Sequence, residues 1–337
     1  MPPQMPSLEQ LEPIILVTSK WGASFHIPWY LFLGGMAGGT LLIAALADLL
    51  GAKHERYQAL SRIAAYITLP ITIVGGLALT FHLGKPERGI LFPLFMSNYR
   101  SWLTIGGWII AAFFPLAVAY AVLWYFRTGR APRLIVAILS IPAGIGMALY
   151  TGFLISGTWS IPGGYWFSPL WDTRYIPVLF LISGLSTGLA GCGLVALAVD
   201  HFRPSGVLRR ELGGASETAG TLSLLDTLVI IAEGSWIYLM LAAFAAGDVG
   251  QKLVYGVLTK GDLAPWFWWG VIALALALPF LASLVEVLLV KVIRVPADWL
   301  LYVKFVMVLV GGLLLRYVIV WGGEIRKPLP FPPFNVY

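Results

Sequence analysis

The chain alternates long apolar runs with short polar stretches, and the runs fall at residues 26–50, 60–83, 102–126, 134–157, 175–199, 222–246, 266–290 and 298–321. Each is about twenty residues or longer, the length an α-helix needs to cross a hydrocarbon core, whereas a barrel strand alternates over only about ten. The pattern predicts an all-α integral membrane protein with eight transmembrane helices. An even number of spans returns the chain to its starting side, so both termini lie on one face.

Small residues recur within this pattern. Pro28, Gly35 and Gly39 of the first run reappear as Pro177, Gly184 and Gly188 of the fifth, each at an offset of 149. Trp102, Gly106 and Pro115 of the third reappear as Trp266, Gly270 and Pro279 of the seventh, at an offset of 164. Matched runs four spans apart point the same way, so the expectation is a parallel internal repeat of two four-helix bundles. These would cover residues 26–157 and 158–321, with an interfacial segment at 1–25 and a tail at 322–337. Chance matching in Gly-rich helices is the competing explanation. The four-residue spacing of Gly35/Gly39 and Gly184/Gly188 puts two small residues on one helix face, where backbones can approach closely. Trp29, Trp102, Trp108, Trp124, Trp159, Trp266, Trp268 and Trp269 fall near run ends and read mostly as interfacial anchors.

Composition agrees: 59% of the 337 residues are hydrophobic, 11% are charged and the mean hydropathy is +0.84, which excludes an ordinary soluble domain. The single Cys192 excludes a disulfide framework or a CxxC metal site, and four scattered histidines argue against a metal-centred catalytic site. Lys and Arg divide ten to nine between the two sets of connections. The ten sit mostly in short loops close to the spans, where the positive-inside bias acts, so both termini are expected outside. The net charge of +6 therefore reads as topology rather than nucleic-acid binding. Residues 1–25 lack a basic leader and an apolar run long enough for a signal peptide. They are expected to stay on the mature protein and lie along the interface near Trp21.

Within the spans, charge is expensive, at about 2.5–3.5 kcal/mol for each residue near the membrane centre. The last run nevertheless holds Lys304 and Arg316, and the two before it hold Asp226, Glu233 and Glu286. Asp226, Glu286 and Lys304 fall toward the inner side, Glu233 near the middle and Arg316 toward the outer side. Asp226 and Glu233, seven residues apart, share a helix face at a spacing of roughly 10.5 Å. Two readings stay open: a path handing protons from the cytoplasm toward an outer site, or ion pairs that hold the bundle together. Asp48 and Asp200, at inner span ends, read as solvated charge.

At the outer side, His26 opens the first span in FHIPWYLFLGGMAGG, and Tyr150 lies about two turns from the outer end of the fourth in MALYTGFLIS. An imidazole there can hydrogen-bond a carbonyl and exchange a proton near neutral pH, as a quinone headgroup requires. An interfacial histidine and a buried structural tyrosine are the bland alternatives. His26 and His82 are the only pair placed to hold a haem, and no second site would carry electrons onward. The outer loop HLGKPERGILFPLFMSNYRSW carries Lys85, Glu87, Arg88, Asn98 and Arg100, and reads as a docking surface or as a merely solvated loop.

Taken together, YLFLGGMAGG (30–39), HLGKPERG (82–89) followed by SWLTIGGWI (101–109), ALYTGFLIS (148–156), PVLFLISGLSTGLA (177–190) and LLLRYVIVWGGE (313–324) resemble the NrfD/PsrC family of polysulfide-reductase-type membrane subunits, over nearly the whole chain. The resemblance implies eight helices in two four-helix bundles in a bacterial or archaeal cytoplasmic membrane. It also implies no haem or iron–sulfur cluster in this chain, and a menaquinone or ubiquinone site near the face where a ferredoxin-like iron–sulfur subunit docks. A molybdopterin- or haem-containing catalytic subunit would lie beyond. On this basis His26 and Tyr150 are the expected headgroup partners, and the Lys85–Arg88 segment is part of the subunit contact. Gly22, one turn before His26, offers no side chain, so any further polar ligand comes from elsewhere. A secondary transporter is the alternative from another class, since a parallel repeat with intramembrane acids fits it too.

Overall fold

The computed structural model describes residues 26–51, 54–82, 101–156, 168–202, 218–289 and 298–324, and within these all regular structure is helical. The helices are α1 (His26–Leu50), α2 (Glu55–His82), α3 (Trp102–Tyr125), α4 (Arg130–Ser156), α5 (Ile176–Phe202), α6 (Ala219–Ala246), α7 (Val249–Thr259), α8 (Trp266–Val287) and α9 (Asp298–Glu324). All but the short α7 are long and apolar enough to cross a membrane, giving the eight spans and the all-α, multi-pass fold that the hydropathy pattern predicts.

Several helices run past the apolar segments, because the membrane limits where side chains must be apolar and not where backbone hydrogen bonding ends. α2 begins at Glu55 and α4 at Arg130, each through polar residues. The apolar pattern gives no sign of α7, which starts with a capping box. Asp248 accepts from the Gln251 N–H at 2.8 Å, and the Gln251 side chain accepts from the Asp248 N–H at 3.2 Å. α8 is π-helical over Trp266–Ala277 and α-helical from Leu278. Pro279 at that junction has no N–H and crowds the preceding turn, and a wider turn relieves the crowding. Residues 1–25, Trp159 and the 84–100 loop, with Lys85, Glu87, Arg88, Asn98 and Arg100, lie outside the described residues.

α1 is the most enclosed span and packs on α2, α4 and α5, while α5 packs on α1, α4, α6 and α9. The α1–α5 contact is backbone on backbone. A Cβ at Gly39 would stand 2.1 Å from the Gly184 carbonyl oxygen, one at Gly184 would stand 2.7 Å from that of Gly35, and one at Gly188 would stand 2.8 Å from the Gly39 carbonyl carbon. α1 meets α4 in the same way, with Gly38 and Gly144 each blocking the other's Cβ. Where lipid is as apolar as the helix surface, dispersion from such close approach replaces the hydrophobic effect as the force joining helices.

Two expectations are corrected at the end of the bundle where α1 finishes. Asp48 is 1% exposed and is not solvated: Arg133 bridges both its oxygens at 3.3 Å and the Tyr120 hydroxyl donates to it at 3.1 Å. Trp124 is buried rather than interfacial, with its Nε1 donating to Ser61 at 3.2 Å and the Arg133 guanidinium 3.8 Å from its ring centroid. Burial makes an unpaired carboxylate untenable, and α3 and α4 supply the partners.

Gly39→Ala is expected to destabilise the protein by about 1–3 kcal/mol through overpacking. Gly76→Ala, where a Cβ meets nothing within 4 Å, is expected to be neutral. Thermal unfolding of the two variants in mild detergent checks the contrast.

Candidate functional site

The candidate site residues gather mainly in two groups, one at each end of the bundle. At the end where α1 begins, α1, α3 and α4 meet. α1 presents His26, half-buried in its first turn, and then Tyr30 one turn further along the same face. The next position on that face is Gly34, where a Cβ would stand 3.0 Å from Thr151 Cγ2, 3.3 Å from Met147 Cε and 3.9 Å from the Tyr30 ring. Across from it, the Tyr150 ring fills the space of a side chain at Gly106, so that a Cβ there would fall 1.8 Å from the ring carbons. Trp102 stacks on Phe153 beside it, at 4.1 Å between centroids.

Tyr150 therefore lies at the same end as His26, and its direct neighbour on α1 is Tyr30. The two phenols interact with each other. Both residues are 1% exposed, and neither hydroxyl oxygen has a hydrogen-bond partner in good geometry among the described residues. A buried hydroxyl left unsatisfied costs about 1–3 kcal/mol, so two side by side form a place for an acceptor.

At the opposite end, α6, α8 and α9 bring together three of the expected ionisable residues. Lys304 Nζ lies 3.3 Å from Asp226 Oδ2 and donates to the Ser223 carbonyl at 2.6 Å, to Ser223 Oγ at 3.0 Å and to Thr227 Oγ1 at 3.2 Å. Ser223 Oγ donates to Glu286 Oε2 at 2.5 Å, and Ser186 of α5 donates to Asp226 Oδ1 at 2.6 Å. Thr227 continues to Ser283 at 2.8 Å. One ammonium thus serves two acids, directly and through a serine, and all of these groups except part-buried Thr227 are buried.

Glu233 and Arg316 lie between the two ends. The Ser183 hydroxyl hydrogen-bonds the Glu233 carboxyl, which is within Coulombic reach of both Arg316 and Asp226. The Arg316 guanidinium is fully buried; its Nη2 donates to the Phe180 carbonyl at 3.3 Å, and its Cζ lies 4.0 Å from the Phe180 ring centroid. Arg316 Nε and Nη1 have no hydrogen-bond partner among the described residues. Nη2 also stands 3.2 Å from where a Cβ of Gly35 would be, so the guanidinium reaches the α1–α5 crossing one residue away from Gly34 and the tyrosine site.

Sequence reasoning misses Tyr30, Ser183, Ser186, Ser223, Thr227 and Ser283. Each is an ordinary residue in an apolar run, and its role depends on which helix faces it. The one available signal is helical spacing: Tyr30 is four residues from His26, while Ser223 and Thr227 flank Asp226. Among the described residues, no group of three or more His, Cys, Asp or Glu side chains is placed to hold a metal ion.

Fold and polar interior define a multi-pass helical membrane protein that keeps ionisable groups at several depths. The family profile described as "Polysulphide reductase, NrfD" matches residues 17–327, and the chain belongs to that family, the NrfD/PsrC membrane subunits known as quinone-interacting, non-catalytic parts of larger respiratory complexes. The C subunit of polysulfide reductase from Wolinella succinogenes is 28% identical over 315 residues, covering 88% of this protein and 92% of that one. Protein NrfD of Escherichia coli is 26% identical over 322 residues, covering 88% and 93%. A shorter match, 23% identical over 175 residues, covers 50% of this protein and 41% of the Hdr-like menaquinol oxidoreductase integral membrane subunit of Archaeoglobus fulgidus.

Lys304→Met leaves Asp226 and Glu286 buried without their cation and is expected to destabilise the protein by about 3–5 kcal/mol. Adding Asp226→Asn is expected to restore part of the loss. A double-mutant cycle in thermal unfolding measures the coupling.

Proposed function

We propose that this chain is the quinone-reactive membrane anchor of a multi-subunit oxidoreductase. It would exchange electrons and protons between a membrane quinone or quinol, of the menaquinone or ubiquinone type, and a ferredoxin-like iron–sulfur subunit. A molybdopterin- or haem-containing catalytic subunit lies beyond that partner. The observation that carries this reading is the Tyr150 hydroxyl, buried without an acceptor at the end of the bundle where His26 stands, in a chain matched to the family along residues 17–327.

The residues present fit a quinone headgroup. A buried phenol and a half-buried imidazole at one end, with the apolar surfaces of Trp102, Phe153 and Met147 about them, suit a flat ligand with carbonyl acceptors. A bound quinone supplies a two-electron, two-proton couple. Tyr150 would hold a carbonyl oxygen by donating to it, and His26 would exchange a proton at the membrane surface. The 84–101 loop, with Lys85, Glu87, Arg88, Asn98 and Arg100, is the proposed contact with the iron–sulfur subunit.

The His26 end is proposed as the outer side, with both termini there, because Lys and Arg crowd the short loops of the other side. Protons would then enter at Asp226, Glu286 and Lys304 and pass Glu233 and Arg316 on the way to the headgroup, so that turnover moves charge across the membrane. The hydroxyls of Ser223, Thr227, Ser186 and Ser183 lie between these ionisable groups and support such a path.

The two-bundle repeat, with halves at residues 26–157 and 158–321, is proposed on the same footing. Gly35 packs against its repeat mate Gly184, as residues beside a twofold axis would. α1 packs on α2 and α4, and α5 packs likewise on α6 and α9. Gly106 seats a side chain of α4, and its mate Gly270 seats one of α9.

His26→Ala and Tyr150→Phe are expected to lower quinone-linked turnover of the purified complex, on the order of 10²-fold where proton transfer fails. Wild-type turnover in both variants would end the proposal, as would a purified chain that transports a solute without any associated iron–sulfur subunit. In proteoliposomes, Glu233→Gln is expected to abolish the electrical response to turnover. A wild-type response in that variant would remove Glu233 from the proton path.

A further inference from the structure

The residues assigned to the headgroup so far leave one buried hydroxyl at this end of the bundle without a task. Tyr30 is enclosed by α4 and by its own helix, and its O–H has no hydrogen-bond acceptor in good geometry among the described residues. Its neighbour Tyr150 is in the same condition. Two phenols in contact can share at most one hydrogen bond between them, and that leaves at least one O–H of the pair without an acceptor. The rings are fixed from behind. Tyr150 is pressed into the gap at Gly106, and Tyr30 is held one turn from Gly34, where α4 comes close enough for Thr151 and Met147 to touch a built Cβ. The Tyr150 ring cannot swing far without opening a void at Gly106.

The chemistry of the pair selects its ligand. A carbonyl oxygen has two lone pairs and accepts two hydrogen bonds at once. The phenols are uncharged donors, and the buried Arg316 guanidinium meets α1 at Gly35 on its α5 side rather than at Gly34 on its α4 side, so a neutral acceptor suits the pair better than a carboxylate or phosphate. Tyr30 also lies on the same helix face as His26, four residues away.

We propose that Tyr30 is a second phenolic donor of the headgroup site, and that Tyr30 and Tyr150 together hold one carbonyl oxygen of the bound ligand. This rests on the quinone reading above. It makes the site a three-point one, with the two phenols at the buried carbonyl and His26 nearer the membrane surface, and it supplies from within α1 the polar contact that Gly22 does not.

The test titrates a short-chain naphthoquinone into the purified full-length chain, following intrinsic tryptophan fluorescence, with wild type, Tyr30→Phe, Tyr150→Phe and the double variant. Phenylalanine keeps the ring in place, so the expected result is roughly tenfold weaker binding for each single variant with thermal stability unchanged or raised. The infrared carbonyl stretch of the ligand bound to wild type is expected at lower frequency than that of the free ligand, and Tyr30→Phe should move it partway back. Wild-type affinity and an unmoved carbonyl band in Tyr30→Phe, with Tyr150→Phe still impaired, would overturn the role of Tyr30 and leave the quinone reading standing. Absence of binding by the wild type would overturn both.

Discussion

Backbone contact between α1 and α5, at Gly35, Gly39, Gly184 and Gly188, sets the positions from which the rest of the membrane domain is built. In a hydrocarbon solvent, two apolar helices gain nothing by leaving lipid for each other, and association depends on how many atoms reach van der Waals distance. Removing four side chains from one crossing brings whole backbones into contact. The same crossing admits Arg316 of α9 beside Gly35, so a fully buried guanidinium reaches within a residue of the α1–α4 contact that holds the tyrosines. Packing and chemistry therefore share a register: a shift of one turn between α1 and α5 would displace Arg316 relative to Tyr30 by roughly 5.4 Å.

Buried charge is arranged by sharing. Lys304 serves Asp226 directly and Glu286 through Ser223, and serine and threonine hydroxyls take up the remaining lone pairs. Among α1 to α4, Asp48 and Arg133 use Tyr120, Trp124 and Ser61 in the same manner. Removing one partner of such a pair is far worse than never having buried it, which ties each cluster to its own set of helices. The tyrosine site differs in kind. There the hydroxyls are buried without a partner in good geometry, which is disadvantageous for stability and is the feature on which the proposed ligand site rests.

Hydropathy alone makes the eight spans legible, because each must be apolar for its full crossing length whatever its neighbours are. The intramembrane charges are legible for a related reason: Lys304, Asp226 and Glu286 are conspicuous in hydrocarbon, and oppositely charged groups at similar depth are expected to meet. Tyr30 is hidden, since a tyrosine in an apolar helix is ordinary until the facing helix is known. α7 is hidden as well, because its apolar pattern is weak and its start is marked only by Asp248 and Gln251. The misreading of Asp48 has the same origin. Its position at a span end suggests solvent, and only the packing of α3 and α4 over that end shows that Arg133 and Tyr120 enclose it.

The enclosure of α1 bears on how the protein is made. Of the eight spans, α1 is synthesised first and becomes the most surrounded, yet α4 and α5, whose backbones it touches, follow only after the intervening spans. At ordinary elongation rates of about 5–20 residues per second, the delay is on the order of ten seconds. For that interval a glycine-rich helix with no packed partner on those faces must be shielded by lipid or by the insertion machinery, so assembly runs from the periphery inward onto an element that was delivered early and waited.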